Sequence, residues 1–230
     1  MDIALLVGPA VVAAIVSSIL GLISLVVSTQ TTRGLHAERL EADTRIAQQK
    51  SDADIALAEK KLELDRSLAD WKRRAEFAEE ILADFYHARD IFNDSRQPFA
   101  MAGEGRSRPG RTDSDSDLER YRDALYTPFE RLSREREFLA SITSKKFRFM
   151  ALFGRHTGEA FETLTSAYNQ ISAATGMLIN LPTREVTPSS KRLEAIIGWA
   201  LEEDPIKTKI DEAVATVEKA CAPWLTSTPA

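Results

Sequence analysis

From Ile3 to Val27 the chain runs for 25 residues without one charged side chain, and no other feature restricts its fold and setting as strongly. At ~1.5 Å per residue, a helix of that length exceeds the roughly 30 Å hydrocarbon core of a bilayer. Its only polar side chains are Ser17, Ser18 and Ser24. Such hydroxyls bond carbonyls of the preceding turn and so cost little in lipid. A cleaved signal peptide would carry Lys or Arg ahead of a shorter apolar core, whereas Met1 and Asp2 precede this run. Residues 1–28 are therefore expected to form a retained single transmembrane anchor in the lipid bilayer.

Arg33, Arg39 and Arg45 follow the span and no basic residue precedes it. Basic flanks stay on the cytoplasmic side, so the amino terminus is expected outside and the remaining chain in the cytoplasm. A single cysteine, Cys221, suits that compartment because it can form no internal disulfide. Within the span, Ala10, Ala14 and Ser18 recur every fourth residue, as do Ala13, Ser17 and Gly21. Small side chains at that spacing share a helix face on which two backbones can approach closely. They are the candidate self-association face of a homo-oligomer.

Between Thr32 and Asn93 the only helix-breaking residue is Gly34, and Ala, Leu, Glu, Lys, Arg and Asp dominate, which is helix composition. Leu57, Leu64, Trp71, Ala78, Phe85 and Phe92 follow one another at intervals of seven, and Leu68, Ala75 and Leu82 stand four residues after members of that series. This is a heptad seam of the coiled-coil type. Upstream, Leu35, Ala42, Ile46, Ala53 and Ala56 form a thinner, shifted stripe. Residues 29–56 are expected to be a charged juxtamembrane helical stalk that pairs with a copy of itself. The aromatic members of the seam are too bulky for a two-stranded coiled coil, so the later half is expected inside a globular bundle.

The segment 95–117 contains Gly103, Gly105, Pro109 and Gly110 and a basic cluster followed by an acidic one. It reads as an exposed, partly disordered loop with almost nothing to bury, in which Ser107, Thr112, Ser114 and Ser116 are candidates for modification. Helical pattern returns at Leu118 and continues to Phe153, as one long helix or as two shorter ones broken near Pro128. Phe161, Leu164, Tyr168, Ile171, Thr175 and Leu178 give the next helix one apolar face. After a Pro-containing connection, Ser189 or Ser190 is expected to cap a short helix reaching Glu202. Asp204-Pro205 starts a last helix that Pro223 ends. No stretch alternates at period two. The fold class is therefore all-α: an N-terminal transmembrane helix, a long charged stalk helix, then a four- to five-helix antiparallel bundle over 57–225 and a tail at 226–230.

Chemistry is hard to place on this pattern. Glu80, Asp84, His87 and Asp94 fall on one helix stripe, but opposite the seam, where a solvated acidic face is expected and a metal is not. Cys221, on an apolar face, reads as inert core. In "SKKFRFMALFGRH", Phe149 and Phe153 extend the apolar face of Phe138 and Ile142, with the cations at its edge. Phosphate-loop, dinucleotide and CxxC motifs are lacking. A net charge of −5 argues against nucleic acid as a partner.

One span followed by a charged helix resembles the layout of the peripheral-stalk b subunit of ATP synthase over about the first third of the chain. The aromatic-rich region after Trp71 departs from it, and no functional residue is carried over. The expectation is a membrane-anchored helical scaffold that self-associates and binds a cytoplasmic protein partner, with no cofactor and no enzymatic activity. A membrane-linked signal transducer or effector is the alternative, and a metal-dependent bundle enzyme a more distant one.

Overall fold

The computed structural model describes residues 4–112, 114, 116–181, 187–199 and 204–226, with the side chains at 4–7, 9 and 10 outside that description. All regular structure among the described residues is helical. The elements are α1 (Ala4–Ser95), α2 (Asp117–Arg134), α3 (Arg136–Ser144), α4 (Lys146–Phe153), a 3-10 turn (Arg155–Thr157), α5 (Gly158–Ile179), α6 (Pro188–Ile196) and α7 (Pro205–Thr226). The chain divides into two units, 1–67 and 68–230.

The first unit is helix throughout its described length, and every side chain described there is exposed. It contains a segment long and apolar enough to cross a membrane. Between Val11 and Val27 the large apolar side chains are 50% to 63% exposed, so the helix itself shields at most half of each. Ser18 Oγ donates to the Ala14 carbonyl at 2.8 Å, the back-bond that makes a hydroxyl inexpensive in lipid. Of the small-residue face, Ala13, Ala14, Ser17, Ser18 and Gly21 are exposed, and a Cβ on Gly21 would meet nothing within 4 Å. Ala10 lies among the residues whose side chains are not described.

The second unit is a helical bundle. Its main core joins Phe77, Ile81, Phe85 and Phe92 of α1 to Leu132, Ile142, Phe149, Phe161, Ile171, Ile206, Ile210, Val214 and Val217 from the later helices. Phe85 meets Phe161 edge-on at 5.0 Å between ring centroids, and Phe149 stacks on Phe153 at 4.5 Å, both favoured geometries for the aromatic quadrupole. A smaller cluster unites Leu125, Ala174, Leu178 and Ile197. The apolar faces read for α5 and α7 are the buried ones, Tyr168 being half-buried.

The seven-residue seam does not act as one unit. Ala78, Phe85 and Phe92 are buried, Trp71 is half-buried, and Leu57 and Leu64 are 72% and 53% exposed. Fully buried core residues on α1 begin at Phe77, and the half-buried Trp71, Arg74 and Ala75 form the edge of the bundle, where Arg74 donates to the Leu152 carbonyl and lies over the Trp224 ring.

Several element ends differ from the sequence reading. Pro128 is buried inside α2, and the break comes at Glu135. Pro223 likewise lies inside α7. Thr187, and not Ser189 or Ser190, caps α6 in a reciprocal capping box with Ser190, and α6 closes at Ile196; residues 200–203 lie outside the described residues. Two expectations do hold. Asp204 Oδ1 accepts from the Lys207 backbone N–H at 2.8 Å, and Pro205 opens α7, the position where its missing N–H is harmless.

α6 closes against the end of α1 through a buried arginine. Arg96 donates from Nε to the Ile196 carbonyl at 2.9 Å and from Nη2 to Asp204 Oδ1 at 2.5 Å. Gly198 sits at φ 88° against this arginine, and a Cβ there would overlap the Arg96 carbonyl. Gly198→Ala is therefore expected to destabilise the bundle by about 1–3 kcal/mol, combining left-handed strain with displacement of Arg96. Chemical denaturation of the full chain checks this, and an unchanged midpoint would mean that α6 does not close on Arg96.

Candidate interaction surfaces

The segment expected to be an exposed loop is held by ion pairs. Arg108 is buried: its Nε donates to Asp123 Oδ1 at 3.0 Å and its Nη2 to Glu119. Arg111 Nε reaches the second Asp123 oxygen at 3.0 Å, and the Thr112 N–H donates to Glu119 at 3.2 Å. At the other end of the loop, Arg131 grips Glu104 with two nitrogens, at 3.0 and 2.5 Å. Gly105 N–H and Ser107 Oγ both donate to Glu130 at 2.6 Å. Gly105, at φ 76°, lies so close to Asp123 that a Cβ would overlap its carbonyl. The loop thus needs no apolar anchor. Fork-shaped guanidinium–carboxylate pairs order it instead, and composition alone could not show that its basic residues meet acids on α2. Asp113 and Asp115 lie outside the described residues.

These pairs set the charge states. Arg131 holds the Glu104 carboxyl below its ordinary range, against the upward push of burial. At Glu119 burial pushes upward, but the Thr112 N–H, Arg108 and Arg122 together hold it below the ordinary range. Of the residues singled out for modification, Ser107 is engaged with Glu130, Thr112 and Ser114 lie 3.2 Å apart, and Ser116 caps α2 through the Glu119 N–H.

Glu80, His87 and Asp94 of the acidic stripe on α1 are exposed, as expected of a solvated face, and Asp84 is half-buried. Lys145 Nζ lies 2.6 Å from Glu80 and 2.7 Å from Asp84, tying α1 to the α3–α4 junction. Burial lowers the Lys145 pKa, but the two carboxylates outweigh it and raise the group above its ordinary range. His87 meets the Phe138 ring at 4.6 Å, and Asp94 accepts from Gln97. Among the described residues no group of three His, Cys, Asp or Glu could hold a metal ion. Cys221 is fully buried and its thiol is pushed up to about 11 by burial, the opposite of what a nucleophile needs.

In the Lys145–Arg155 stretch Lys146 and Arg148 are engaged too. Lys146 pairs with Glu162 at 2.6 Å, and Arg148 stands 4.0 Å over the Phe77 ring. Phe147 is 76% exposed. Of the clefts on the second unit, two combine arginines with large apolar side chains. One, about 300 Å³, lies between α3 and α5 and is lined by Arg136, Leu139, Ala140, Thr143, Leu164 and Tyr168. The other, about 630 Å³, lies between the end of α1, the loop and α2, with Ile91, Phe99, Met101, Arg131 and Arg134 on its walls. Phe99 and Met101 remain mostly exposed.

Compared with known protein families, characterised proteins and solved structures, the chain matches none.

Proposed function

We propose that this chain is a single-pass membrane-anchored scaffold: amino terminus outside, stalk and bundle in the cytoplasm, copies associated through span and stalk, and the bundle engaging a protein partner. One observation carries the reading. The bundle closes its own apolar core, whereas the large apolar side chains from Val11 to Val27 are at least half exposed among the described residues. So large an apolar surface is tolerated only in lipid or against another molecule. The orientation follows from the basic residues after the span. For the bundle, the apolar α3–α5 cleft with Arg136 at its rim has the composition of an interface core. The alternative, a transducer, draws on α1 supplying both the apolar segment and the Phe77–Phe92 part of the core.

The test is the mass and composition of the particle extracted from membranes in mild detergent through a carboxyl-terminal tag. A homo-oligomer, with or without a stoichiometric second protein, supports the scaffold. A monomeric particle with no partner removes it. Ser17→Leu combined with Gly21→Leu is expected to reduce the oligomer severalfold while the protein stays in the membrane fraction, because the bulk separates the helix backbones and the apolar length is unchanged.

A further inference from the structure

The stalk carries an internal repeat of eleven residues. "LHAERLEADTR" (35–45), "IAQQKSDADIA" (46–56), "LAEKKLELDRS" (57–67) and "LADWKRRAEFA" (68–78) align without a gap. The first position holds Leu35, Ile46, Leu57 and Leu68, and the eighth Ala42, Ala53, Leu64 and Ala75. The fifth is always basic (Arg39, Lys50, Lys61, Lys72) and the ninth always acidic (Asp43, Asp54, Asp65, Glu76). Eleven residues make three turns at ~3.67 per turn, so first and eighth positions form one stripe that drifts by only about 20° per repeat on a straight α-helix. All four repeats are helical. The stripe is uncovered: Leu35, Ile46, Leu57, Leu64 and Leu68 are each more than half exposed, and Ala42 and Ala53 are exposed too. The seven-residue series that begins at Leu57 shares Leu57, Leu64, Leu68 and Ala75 with this repeat, but projected backward it lands on Lys50 and Asp43.

We infer that the stripe is the contact face of a parallel, in-register pair with a second copy of this chain, wound with an eleven-residue period. The inference rests on the membrane-anchored, self-associating reading above. Three features select a second copy as the occupant. Anchors in one bilayer give neighbouring copies the same direction and the same height, so each layer meets its own kind, Leu35 on Leu35 and Ile46 on Ile46. From Leu35 to Leu57 bulky layers alternate with alanine layers, so each facing bulky pair has room above and below it. Charge is also matched. Arg39, Lys50 and Lys61 border one edge of the stripe, and Glu41, Asp52 and Glu63 lie on the opposite flank. In a parallel pair each basic edge faces the acidic flank of its partner, as in coiled coils with charged flanking positions. An eleven-residue period winds the pair to the right, against the left-handed twist of a heptad seam. In the fourth repeat Phe77 and Ala78 are already core of the bundle, so the pairing face ends there.

The test uses the full chain in membrane vesicles with Cys221→Ala as background and one new cysteine at a time: Leu35→Cys, Ile46→Cys, Leu57→Cys, Asp43→Cys and Lys50→Cys. Mild oxidation is expected to join copies at 35, 46 and 57 severalfold more than at 43 and 50. Cross-linking at 43, 50 and 57 would establish a seven-residue register and overturn the eleven-residue one while self-association stands. An oligomeric mass with no stalk cross-link would also overturn it and move association to the span. A monomeric mass for every variant would remove both this inference and the self-association on which it rests.

Discussion

Arg108→Ala is expected to destabilise the bundle by about 3 kcal/mol, since removing one partner of a buried ion pair leaves the others charged and desolvated. Glu119 and Asp123 are themselves buried, and the remaining neighbours, Arg111 and Arg122, are placed to compensate only in part. Arg108→Lys is expected to recover little, because the wild-type side chain serves Asp123 and Glu119 through two different nitrogens of one rigid plane. Denaturation of the detergent-solubilised chain, followed by circular dichroism, measures both. An unchanged midpoint for Arg108→Ala would mean that the loop contributes nothing to the fold.

The same pairs predict acid sensitivity. Glu104 and Glu119 titrate below their ordinary range when folded. Their contribution is therefore present above the unfolded carboxylate range and is lost as pH falls through the depressed folded values. The midpoint of wild type is expected to fall with pH below about 4, and to fall less in Arg108→Ala, which has already lost one of the partners holding Glu119 down.

Phe85→Ala is expected to cost about 3–5 kcal/mol, the range for deleting a fully buried aromatic ring from a core that cannot collapse around it. The ring is fully buried and edge-on to Phe161. Trp71→Ala is expected to cost less despite the larger side chain, because Trp71 is only half-buried and its Nε1 has no hydrogen-bond partner. Equal losses at the two positions would show that the bundle core extends further toward the stalk than Phe77.

Much of this was open to reading from residue types. The apolar run, the helix composition, the faces of α5 and α7 and the burial of Cys221 follow from periodicity, because a helix repeats every 3.6 residues whatever it packs against. The start of α7 follows from Asp204-Pro205, since capping is local chemistry. Interior prolines misled for the converse reason. Pro128 remains inside α2, where it is buried, because the surrounding packing outweighs a local preference, and α7 runs three residues past Pro223.

The loop and the acidic stripe required the tertiary structure. Whether Arg108 faces water or Glu119, and whether Glu80 and Asp84 clamp Lys145, depends on which distant segment lies opposite. Charge pairing acts over a few ångströms between residues far apart in the chain, and local composition is blind to it. The sequence by itself determined the helical class, the apolar N-terminal segment and the periodic faces, all set by interactions within a few turns. Only the tertiary structure decided where the core begins on α1, which charges are satisfied and which apolar side chains are left exposed, because each depends on the supply of partners from elsewhere in the fold.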